Sequence, residues 1–331
     1  MSSVSSNEAG WSGLLRLPRQ PECVQSRPDD PRLGEIIEYW QGDVSAVRPG
    51  RAVLIGFPQD EGVRRNGGRP GATEAPRAIR HRLHRLTPWD ALADVDLRDQ
   101  PPLDVGDVRI TGTLEETQQA LGNVVAAVLA AGAVPVVLGG GHETAYGHYL
   151  GYVANRQAVG ILNIDAHLDV RPVPGGQGHS GSPFRQALEH PHHPLPGPNY
   201  VCLGAQPGSV SRDHWRYVRD RGGAVRWAEA IEKESEAFSQ ELERLARSAG
   251  SVYVTLDADA VRAADVPGVS APNSGGLSGA VVLRYARLAG RSPQVSSFDL
   301  VEICPPLDRD EQSVRWAAHA IWHFLIGVAQ R

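Results

Sequence analysis

The chain has 331 residues, of which 41% are hydrophobic and 21% are charged, and its formal net charge is -5 at pH 7. This composition is that of an ordinary globular protein, and it lacks the basic excess that nucleic-acid binding requires. Residues 1–10 lack the basic and apolar regions of a signal peptide, and no run approaches the ~20 apolar residues that span a bilayer. We therefore expect a cytoplasmic protein with neither a nucleic-acid nor a membrane partner.

Short apolar runs, many of them bounded by glycine or proline, predict β-strands along the chain. In chain order they are Ala52–Phe57, Val134–Leu138, Val159–Ile164, Tyr200–Leu203, Ser251–Leu256 and Val295–Leu300. Helical periodicity between the runs predicts helices over Thr117–Ala131 and Ala228–Ala249, and a last helix that begins near Asp310 as its N-cap. The stretch Pro172–Pro198 is rich in Gly, Pro and His and is expected to be a long loop.

Strands that are apolar on both faces and alternate with helices are typical of parallel β-α-β units. We predict an α/β fold of a single domain with a mostly parallel sheet flanked by helices, because no linker, repeat or low-complexity stretch divides the chain. Residues 1–50 are predicted to form an N-terminal extension that packs on a catalytic domain of residues 51–331.

Polar motifs stand at the carboxyl ends of three predicted strands, where open parallel sheets bind their ligands. They are GGGHE after Val134–Leu138, NIDAHLDVR at the end of Val159–Ile164, and TLDADAV at the end of Ser251–Leu256. Together they supply two imidazoles and four carboxylates, from His142, Asp165, His167, Asp169, Asp257 and Asp259. Four ionised carboxylates in one crevice repel one another, whereas two divalent cations would cancel their charge.

Because a carboxylate can bridge two ions, these side chains can serve two metals ~3.5–4 Å apart, the spacing of binuclear hydrolytic sites. Carboxylate oxygen with some imidazole suits Mn²⁺, with Zn²⁺, Co²⁺ and Fe²⁺ as alternatives. Such a site generates hydroxide from bound water at neutral pH, which predicts metal-assisted hydrolysis and leaves the electrophile open. A turn or a helix cap could explain any one of these motifs taken alone. Bringing the carboxylates of all three together without compensating positive charge would cost free energy.

The three motifs resemble the metal-binding signatures of the ureohydrolase (arginase and agmatinase) superfamily, and FDLVEICPPLD, Phe298–Asp308, resembles a further segment of it. The resemblance runs from about Ala52 to the C-terminus. It implies an arginase-like three-layer α/β/α fold, two Mn²⁺ per subunit and a homo-oligomer. One ion is expected on His142, Asp165, Asp169 and Asp257, and the other on His167, Asp165, Asp257 and Asp259, with Asp165 and Asp257 bridging.

Glu302 matches the glutamate that faces the cationic amidine or guanidine group of the superfamily's substrates. A carboxylate suits a planar cation, and the alternative is an ion pair between Glu302 and a nearby arginine. By this resemblance Glu302, Asp165 and Asp257 are the expected catalytic residues.

Within the superfamily, Asp60–Arg80 and Ser180–Leu188 (SGSPFRQAL) most resemble the formimidoylglutamase family. This implies hydrolysis of N-formimidoyl-L-glutamate to L-glutamate and formamide, a step of histidine degradation, by attack of metal-bound hydroxide on the amidine carbon. The substrate's other end is a dicarboxylate, which needs cationic or polar contacts. The candidates for these contacts are Arg171, Asn66, Arg64, Ser180 and Arg185.

The residues are also compatible with other functions. Ser180 stands where arginases have a histidine, so the proton donor to the leaving amine is unassigned, with His179 as the neighbouring candidate. The alternatives are another ureohydrolase (agmatinase, arginase or guanidino-acid hydrolase) that releases urea, a deacetylase-like amidohydrolase with one zinc ion, and a non-catalytic ligand-binding relative. The arginines disfavour agmatine, and the complete set of six ligands disfavours the last two alternatives.

Overall fold

The computed structural model describes residues 10–18, 29–231 and 236–331. Its strands are β1 Leu15–Arg16, β2 Glu38–Tyr39, β3 Ala52–Phe57, β4 Trp89–Asp90, β5 Val95–Asp96, β6 Leu103–Val108, β7 Val134–Gly139, β8 Gly160–Ile164, β9 Tyr200–Ala205, β10 Ala224–Trp227, β11 Val252–Asp257 and β12 Val295–Val301. Its α-helices are α1 Leu33–Ile36, α2 Glu61–Arg65, α3 Ala75–Leu83, α4 Leu114–Ala130, α5 Thr144–Ala154, α6 Pro183–Leu188, α7 Arg212–Asp220, α8 Ala228–Ile231, α9 Ala237–Ala249, α10 Gly279–Arg291 and α11 Gln312–Val328.

A ten-stranded sheet in the order β1-β6-β3-β7-β12-β11-β8-β9-β10, with β2 also paired to β6, forms the centre of the fold. Every strand pair in it is parallel except β1 with β6. Successive residues of β3 pack on opposite faces, since Leu54 joins one hydrophobic cluster and Val53 and Ile55 join another. Helices α3, α9, α10 and α11 supply the first cluster, and α4 supplies the second. The predicted α/β fold with helices on both faces is confirmed.

The six strands predicted from apolar runs are all present, each within two residues of its predicted bounds. The pattern misses β6, whose sequence LDVGDV is interrupted by acidic residues, and β10, whose side chains at the sheet edge are only partly buried. Asp104 of β6 is buried because Arg80 neutralises it, an ion pair that hydrophobic periodicity cannot reveal.

Two of the predicted helix boundaries need correction, and a third prediction is tested only in part. Helix α4 begins at Leu114 because Thr113 and Glu116 form a capping box there. The predicted helix Ala228–Ala249 is represented by α8 and α9, and residues 232–235 between them lie outside the described residues. The last helix begins at Gln312 with Glu311, not Asp310, as its N-cap residue, and the Asp308 carboxylate accepts the Ser313 and Val314 backbone N–H groups, each over 3.0 Å.

The stretch Pro172–Pro198 contains the short helix α6, with Pro183 at a position that needs no N–H donor. The described parts of residues 1–50 add β1 and β2 to the main sheet, and the rings of Trp11 and Trp40 stack with centroids 4.9 Å apart. A division of the chain at residue 50 stays a prediction. None of the described helices is long and apolar enough to cross a bilayer.

Candidate binuclear metal centre

The candidate centre lies at the carboxyl ends of neighbouring central strands. The strands β7, β12, β11 and β8 are adjacent in that order, so the segments that follow them meet above one edge of the sheet. His142 follows β7, Asp165, His167 and Asp169 follow β8, and Asp257 and Asp259 stand at the end of β11. The remaining strand, β12, delivers Glu302 between them.

Among the described residues, two groups of side chains could each hold a metal ion. The first is His142, Asp165, Asp169 and Asp257, and the second is Asp165, His167 and Asp259; within each group the ligand atoms lie within 4.8 Å of one another. All six residues proposed from the sequence are therefore brought together, although Asp257 is not part of the second group.

Asp165 connects the two groups through its two carboxylate oxygens. Its Oδ2 lies 3.4 Å from His142 Nδ1, while its Oδ1 lies 3.4 Å from His167 Nδ1. The Asn163 amide donates to Oδ2 over 3.0 Å and the His167 backbone N–H donates to Oδ1 over 2.7 Å. The carboxylate is thus held with one oxygen toward each group, the geometry a bridging ligand needs.

Both histidines present Nδ1 to carboxylate oxygens. His142 Nδ1 lies 2.9 Å from Asp169 Oδ2 and 3.0 Å from Asp257 Oδ2, and His167 Nδ1 lies 3.2 Å from Asp259 Oδ2. The nitrogen and oxygen atoms thus converge on common points, and a bound cation would occupy those points.

The acidity of these groups reflects a crowded and buried cluster. Burial opposes charge on His142, but hydrogen bonds with Asp165, Asp169 and Asp257 outweigh it and raise the pKa of His142 well above its ordinary value. The Asp259 charge raises the pKa of His167 against the opposing effect of burial. Burial, and then the neighbouring Asp259 and Asp165 charges, raises the pKa of Asp257. The carboxylates thus favour positive charge at the imidazoles, and bound divalent cations would offset the same negative charge.

Close backbone packing places the loop that carries His142. A Cβ at Gly140 would lie 1.7 Å from the Gln59 carbonyl oxygen, and one at Gly141 would lie 2.1 Å from Glu143 Oε2. Only glycine allows the close approach of Gly140 to the Gln59 backbone. Glu302 then ties the loop down, since its backbone N–H donates to the Gly140 carbonyl over 2.8 Å and its Oε1 accepts the His142 N–H over 2.8 Å.

Glu302 itself sits in an unusual backbone conformation, with φ of 66°, and so does Asp169, with φ of 44°. Non-glycine residues adopt this region only where the surrounding structure holds them there. Burial raises the pKa of Glu302, with Asp257 and Glu143 adding to the effect. Among the described residues no arginine is within ion-pair distance of Glu302, so the alternative of a local ion pair is not supported.

A cavity of about 390 Å³ opens over the metal-ligating residues. On the side of the candidate metal centre it is lined by His167 and by the carboxylates of Asp169, Asp257, Asp259 and Glu302, and its other cationic and polar lining includes Asn66, Arg69, Arg171, Ser180, Ser209, Ser211, His214 and Ser270. One compartment therefore combines a cluster of carboxylates with two guanidinium groups.

The candidate substrate contacts fall into two sets. Arg171, Asn66 and Ser180 line the cavity. Arg64 is 58% exposed beside Asp60, and Arg185 donates to the Val170 carbonyl and stacks on the Tyr217 ring at 3.8 Å. Neither residue lines the cavity. His179 is also turned away, because Gly181 N–H donates to its Nδ1 and its Nε2 faces the Pro172 carbonyl.

Sequence reasoning missed several lining residues. Ser209, Ser211 and His214 follow β9, and the rule that ligands bind beyond the carboxyl ends of parallel strands applies to that strand too. No sequence pattern predicts that Arg69 lines the cavity, because hydrogen bonds to the Val269 and Ser270 carbonyls, distant in sequence, hold its side chain there.

Known proteins resemble this chain along most of its length. Residues 50–327 match the model of the arginase family. A formimidoylglutamase from Geobacillus thermodenitrificans is 40% identical over 291 residues, covering 82% of this chain and 84% of that protein. One from Rhodococcus jostii is 39% identical over 290 residues, covering 83% and 85%. The crystal structure of Trypanosoma cruzi formiminoglutamase with Mn²⁺₂ has a TM-score of 0.83 at 36% identity, covering 92% of this chain and 100% of that one.

Proposed function

The chain belongs to the arginase family, and from that premise we propose that it is a manganese-dependent formimidoylglutamase. It hydrolyses N-formimidoyl-L-glutamate to L-glutamate and formamide. The observation that carries the proposal is the cavity, where carboxylates suited to two cations and an amidinium share one space with Arg171 and Arg69. Relatives of the same name at 39–40% identity support this reading.

The donor set fits two manganese ions. Carboxylate oxygens and imidazole nitrogens suit Mn²⁺, and Asp259 Oδ1, a buried atom without a hydrogen-bond partner among the described residues, belongs to one of the ligand groups. His142, Asp165, Asp169 and Asp257 would hold one ion, and His167, Asp165 and Asp259 the other, with Asp257 as the proposed second bridge. When bound, the two ions lower the pKa of a shared water and offset negative charge that develops during hydrolysis.

Glu302 binds the formimidoyl end of the substrate. That group is a cationic amidine at neutral pH, and a carboxylate held beside it both attracts and orients it. The His142 N–H fixes Oε1 of Glu302, so the carboxylate cannot turn freely when substrate enters. The carbon to be attacked is then placed next to the metal-ligating carboxylates.

The glutamate end of the substrate carries two carboxylates, which the cationic lining of the cavity receives. Arg171 is the principal contact, and its guanidinium is oriented by Asn66, which in turn bonds Ser180. Arg69 and His214 add further donors in the same lining. An agmatine-like substrate, which has a cation at that end, would be repelled by these groups.

The setting of the enzyme follows from the same proposal. It acts in the cytoplasm in histidine degradation, as a homo-oligomer, on a small amidine dicarboxylate, and without a nucleic-acid or membrane partner.

A product assay on a small substrate panel tests the function. Protein loaded with Mn²⁺ is incubated with N-formimidoylglutamate, arginine, agmatine and a guanidino acid, and formamide, glutamate and urea are quantified. We expect formamide and glutamate in equal amounts from the first substrate and little urea from the others. Urea as the main product would assign the chain to another ureohydrolase activity. Metal analysis of the same sample should give about two ions per chain.

A further inference from the structure

The segment that carries Ser180 is rich in glycine and needs tethers to keep one conformation. Its sequence over residues 173–181 is VPGGQGHSG, and glycine loses more backbone freedom than any other residue when a chain is ordered. Residues 174–177 are exposed, whereas residues 178–181 are buried. The segment thus passes from solvent to the wall of the cavity at Gly178, so a contact made there holds that wall in place.

The C-terminal end of α2 bonds this segment at two points. The Asn66 amide donates to Ser180 Oγ over 3.0 Å, and the Ser180 backbone N–H donates to the Gly62 carbonyl over 3.1 Å. Arg65 reaches two residues further back along the segment, where its Nη1 donates to the Gly178 carbonyl over 3.0 Å. Neighbouring residues of one helix end thus grip both Gly178 and Ser180.

The Arg65 guanidinium is anchored on its other side by α4. Its Nη1 donates to Glu115 Oε1 over 2.6 Å and its Nη2 donates to Oε2 over 3.4 Å, a bidentate ion pair with a residue in the first turn of α4. The pair is partly shielded, since the Arg65 and Glu115 side chains are 18% and 42% exposed. Arg65 therefore links the glycine-rich segment to α4, whose buried face belongs to the core.

The segment that Arg65 holds packs directly on Arg171. A Cβ on Gly181 would lie 2.8 Å from Arg171 Cδ, and the Arg171 backbone N–H donates to the Gly181 carbonyl over 2.9 Å. Asn66, which follows Arg65 in the chain, accepts from Arg171 Nη1 over 3.0 Å. The backbone and the guanidinium of Arg171 thus both rest on parts that Arg65 joins, although Arg65 itself does not line the cavity.

We propose that Arg65 is a positioning residue, which bridges Gly178 to Glu115 and thereby holds Arg171 in the orientation that receives a carboxylate of the substrate. This inference rests on the proposed function, because it concerns the end of the same cavity that binds the glutamate part. A guanidinium that is already oriented loses little freedom when an anion binds, whereas one on a loose segment must be ordered on binding, which weakens affinity. Removal of Arg65 should therefore impair substrates that carry carboxylates.

Hydrogen exchange tests the link between Arg65 and the segment without any substrate. The manganese-loaded parent protein and Arg65→Met are transferred to D₂O, and mass spectrometry follows the peptides that cover residues 172–182. Methionine keeps most of the aliphatic stem of arginine but donates no hydrogen bond. We expect exchange in these peptides to be at least about 10-fold faster in Arg65→Met, with peptides from α10 and α11 unchanged.

Substrate selectivity tests the effect on Arg171. The value of kcat/KM is measured for N-formimidoylglutamate and for N-propylformamidine, an amidine with the same three-carbon stem but no carboxylate. We expect Arg65→Met to lower the ratio of the two values roughly 3- to 20-fold, mainly through KM for N-formimidoylglutamate, with the manganese content unchanged. A change that merely weakened the fold would lower both values and leave their ratio unaltered.

Two further variants keep the test independent of how well Arg65→Met folds. Glu115→Ala removes the anchor at a partly exposed position and should change exchange and selectivity in the same direction. The double variant Arg65→Met with Arg171→Ala should lose little more selectivity than Arg171→Ala alone, because both changes disturb one contact with the substrate.

Arg64→Met is the matched control. It makes the same substitution one residue away in α2, at a side chain that is 58% exposed and outside the cavity lining. We expect both its exchange over residues 172–182 and its selectivity ratio to equal those of the parent protein.

Parent-like exchange of residues 172–182 in both Arg65→Met and Glu115→Ala would overturn the proposal, because the segment would then keep its conformation unaided. Faster exchange with an unchanged selectivity ratio would also overturn it, because Arg171 would then be oriented without Arg65. Urea as the main product of the parent protein is a separate outcome. It would refute the proposed function and with it the selectivity role, whereas the exchange experiment alone decides whether Arg65 holds the segment.

Discussion

Arg171 donates from Nη1 to the side-chain oxygen of Asn66 over 3.0 Å, and the Asn66 amide donates to Ser180 Oγ over 3.0 Å. Asn66 follows α2, whereas Arg171 and Ser180 both lie in the segment between β8 and α6, and the Ser180 backbone N–H also donates to the Gly62 carbonyl over 3.1 Å. One edge of the guanidinium is thereby fixed, which leaves its other donors available for a carboxylate. The arrangement holds the Arg171 guanidinium in one orientation at the cavity, as the proposed contact with a carboxylate needs.

Replacing Arg171 should therefore damage recognition of the dicarboxylate. We expect Arg171→Ala to lower kcat/KM for N-formimidoylglutamate by roughly 10- to 100-fold, mainly through KM, since a hydrogen bond to a charged group contributes about 1.5–3 kcal/mol. The manganese content should not change. Arg64→Ala is the matched control, because Arg64 is exposed and outside the cavity lining. Similar losses in both variants would remove Arg171 from the substrate contacts.

Replacing Asp257 should remove the metal centre. Asp257 is 2% exposed and faces His142, and an amide in its place cannot supply the charge that a divalent cation needs. We expect Asp257→Asn to retain less than one manganese ion per chain and to lose activity by at least about 10³-fold, in line with the loss of a preorganised electrostatic group. Elemental analysis and turnover report these separately. Asp220→Asn, at an exposed ion pair, should retain both metal and activity.

The ion pair behind β6 should be important for stability. Arg80 bonds Asp104 over 2.7 Å, Asp107 over 2.5 Å and the Gly106 carbonyl over 2.9 Å, and the Asp104 side chain is fully buried. Arg80→Met would leave Asp104 buried without its partner, so we expect a loss of about 3–5 kcal/mol in the free energy of unfolding. Arg98→Met breaks the exposed pair with Asp96 and should cost less than about 1 kcal/mol. Chemical denaturation of the metal-free proteins measures both. Equal effects would mean that burial of the Arg80 pair is unimportant.

Acid should destabilise the fold in part through His84. Burial lowers the pKa of His84 from 6.5 to about 4, and its side chain lies at the end of α3 against Tyr39. Between pH 6.5 and 4 the unfolded chain binds a proton at His84 that the folded chain does not, so stability falls as the pH falls through this window. We expect the loss relative to His84→Gln to reach at most about 3 kcal/mol near pH 4 and then to level off. Identical pH profiles for the two metal-free proteins would contradict this assignment.

The central strands and the six ligand residues could be read from the sequence for a physical reason. A strand buried on both faces must be apolar throughout, and a metal-ligating residue beyond its end must be polar. The change from apolar to polar residues is therefore easy to recognise in the sequence. Asp165 directly after Ile164 is an example. The resemblance to a known family added the division of the ligands between two ions, which spacing alone does not give.

The rest of the site depends on contacts between distant parts of the chain. The Arg69 guanidinium is held at the cavity by hydrogen bonds to carbonyl groups far along the chain, such as that of Val269, which is 200 positions away. Arg185 has a guanidinium group that could bind a carboxylate of the substrate. In the structure, however, this group stacks on the Tyr217 ring and does not line the cavity. Asp104 interrupts an apolar strand because Arg80 on α3 neutralises it. Periodicity carries no information about such partners.

The glycine loop before His142 also bears on how this protein can evolve. Gly140 is required by the backbone of Gln59, whereas a larger residue at Gly141 would require the side chains of Glu143 and Val63 to move. No single compensating change could relieve both. Descendants that acquire new substrates are therefore expected to keep this loop unaltered and to diversify in the segments around Arg69, Arg171 and His214, where altered side chains would leave the metal ligands undisturbed.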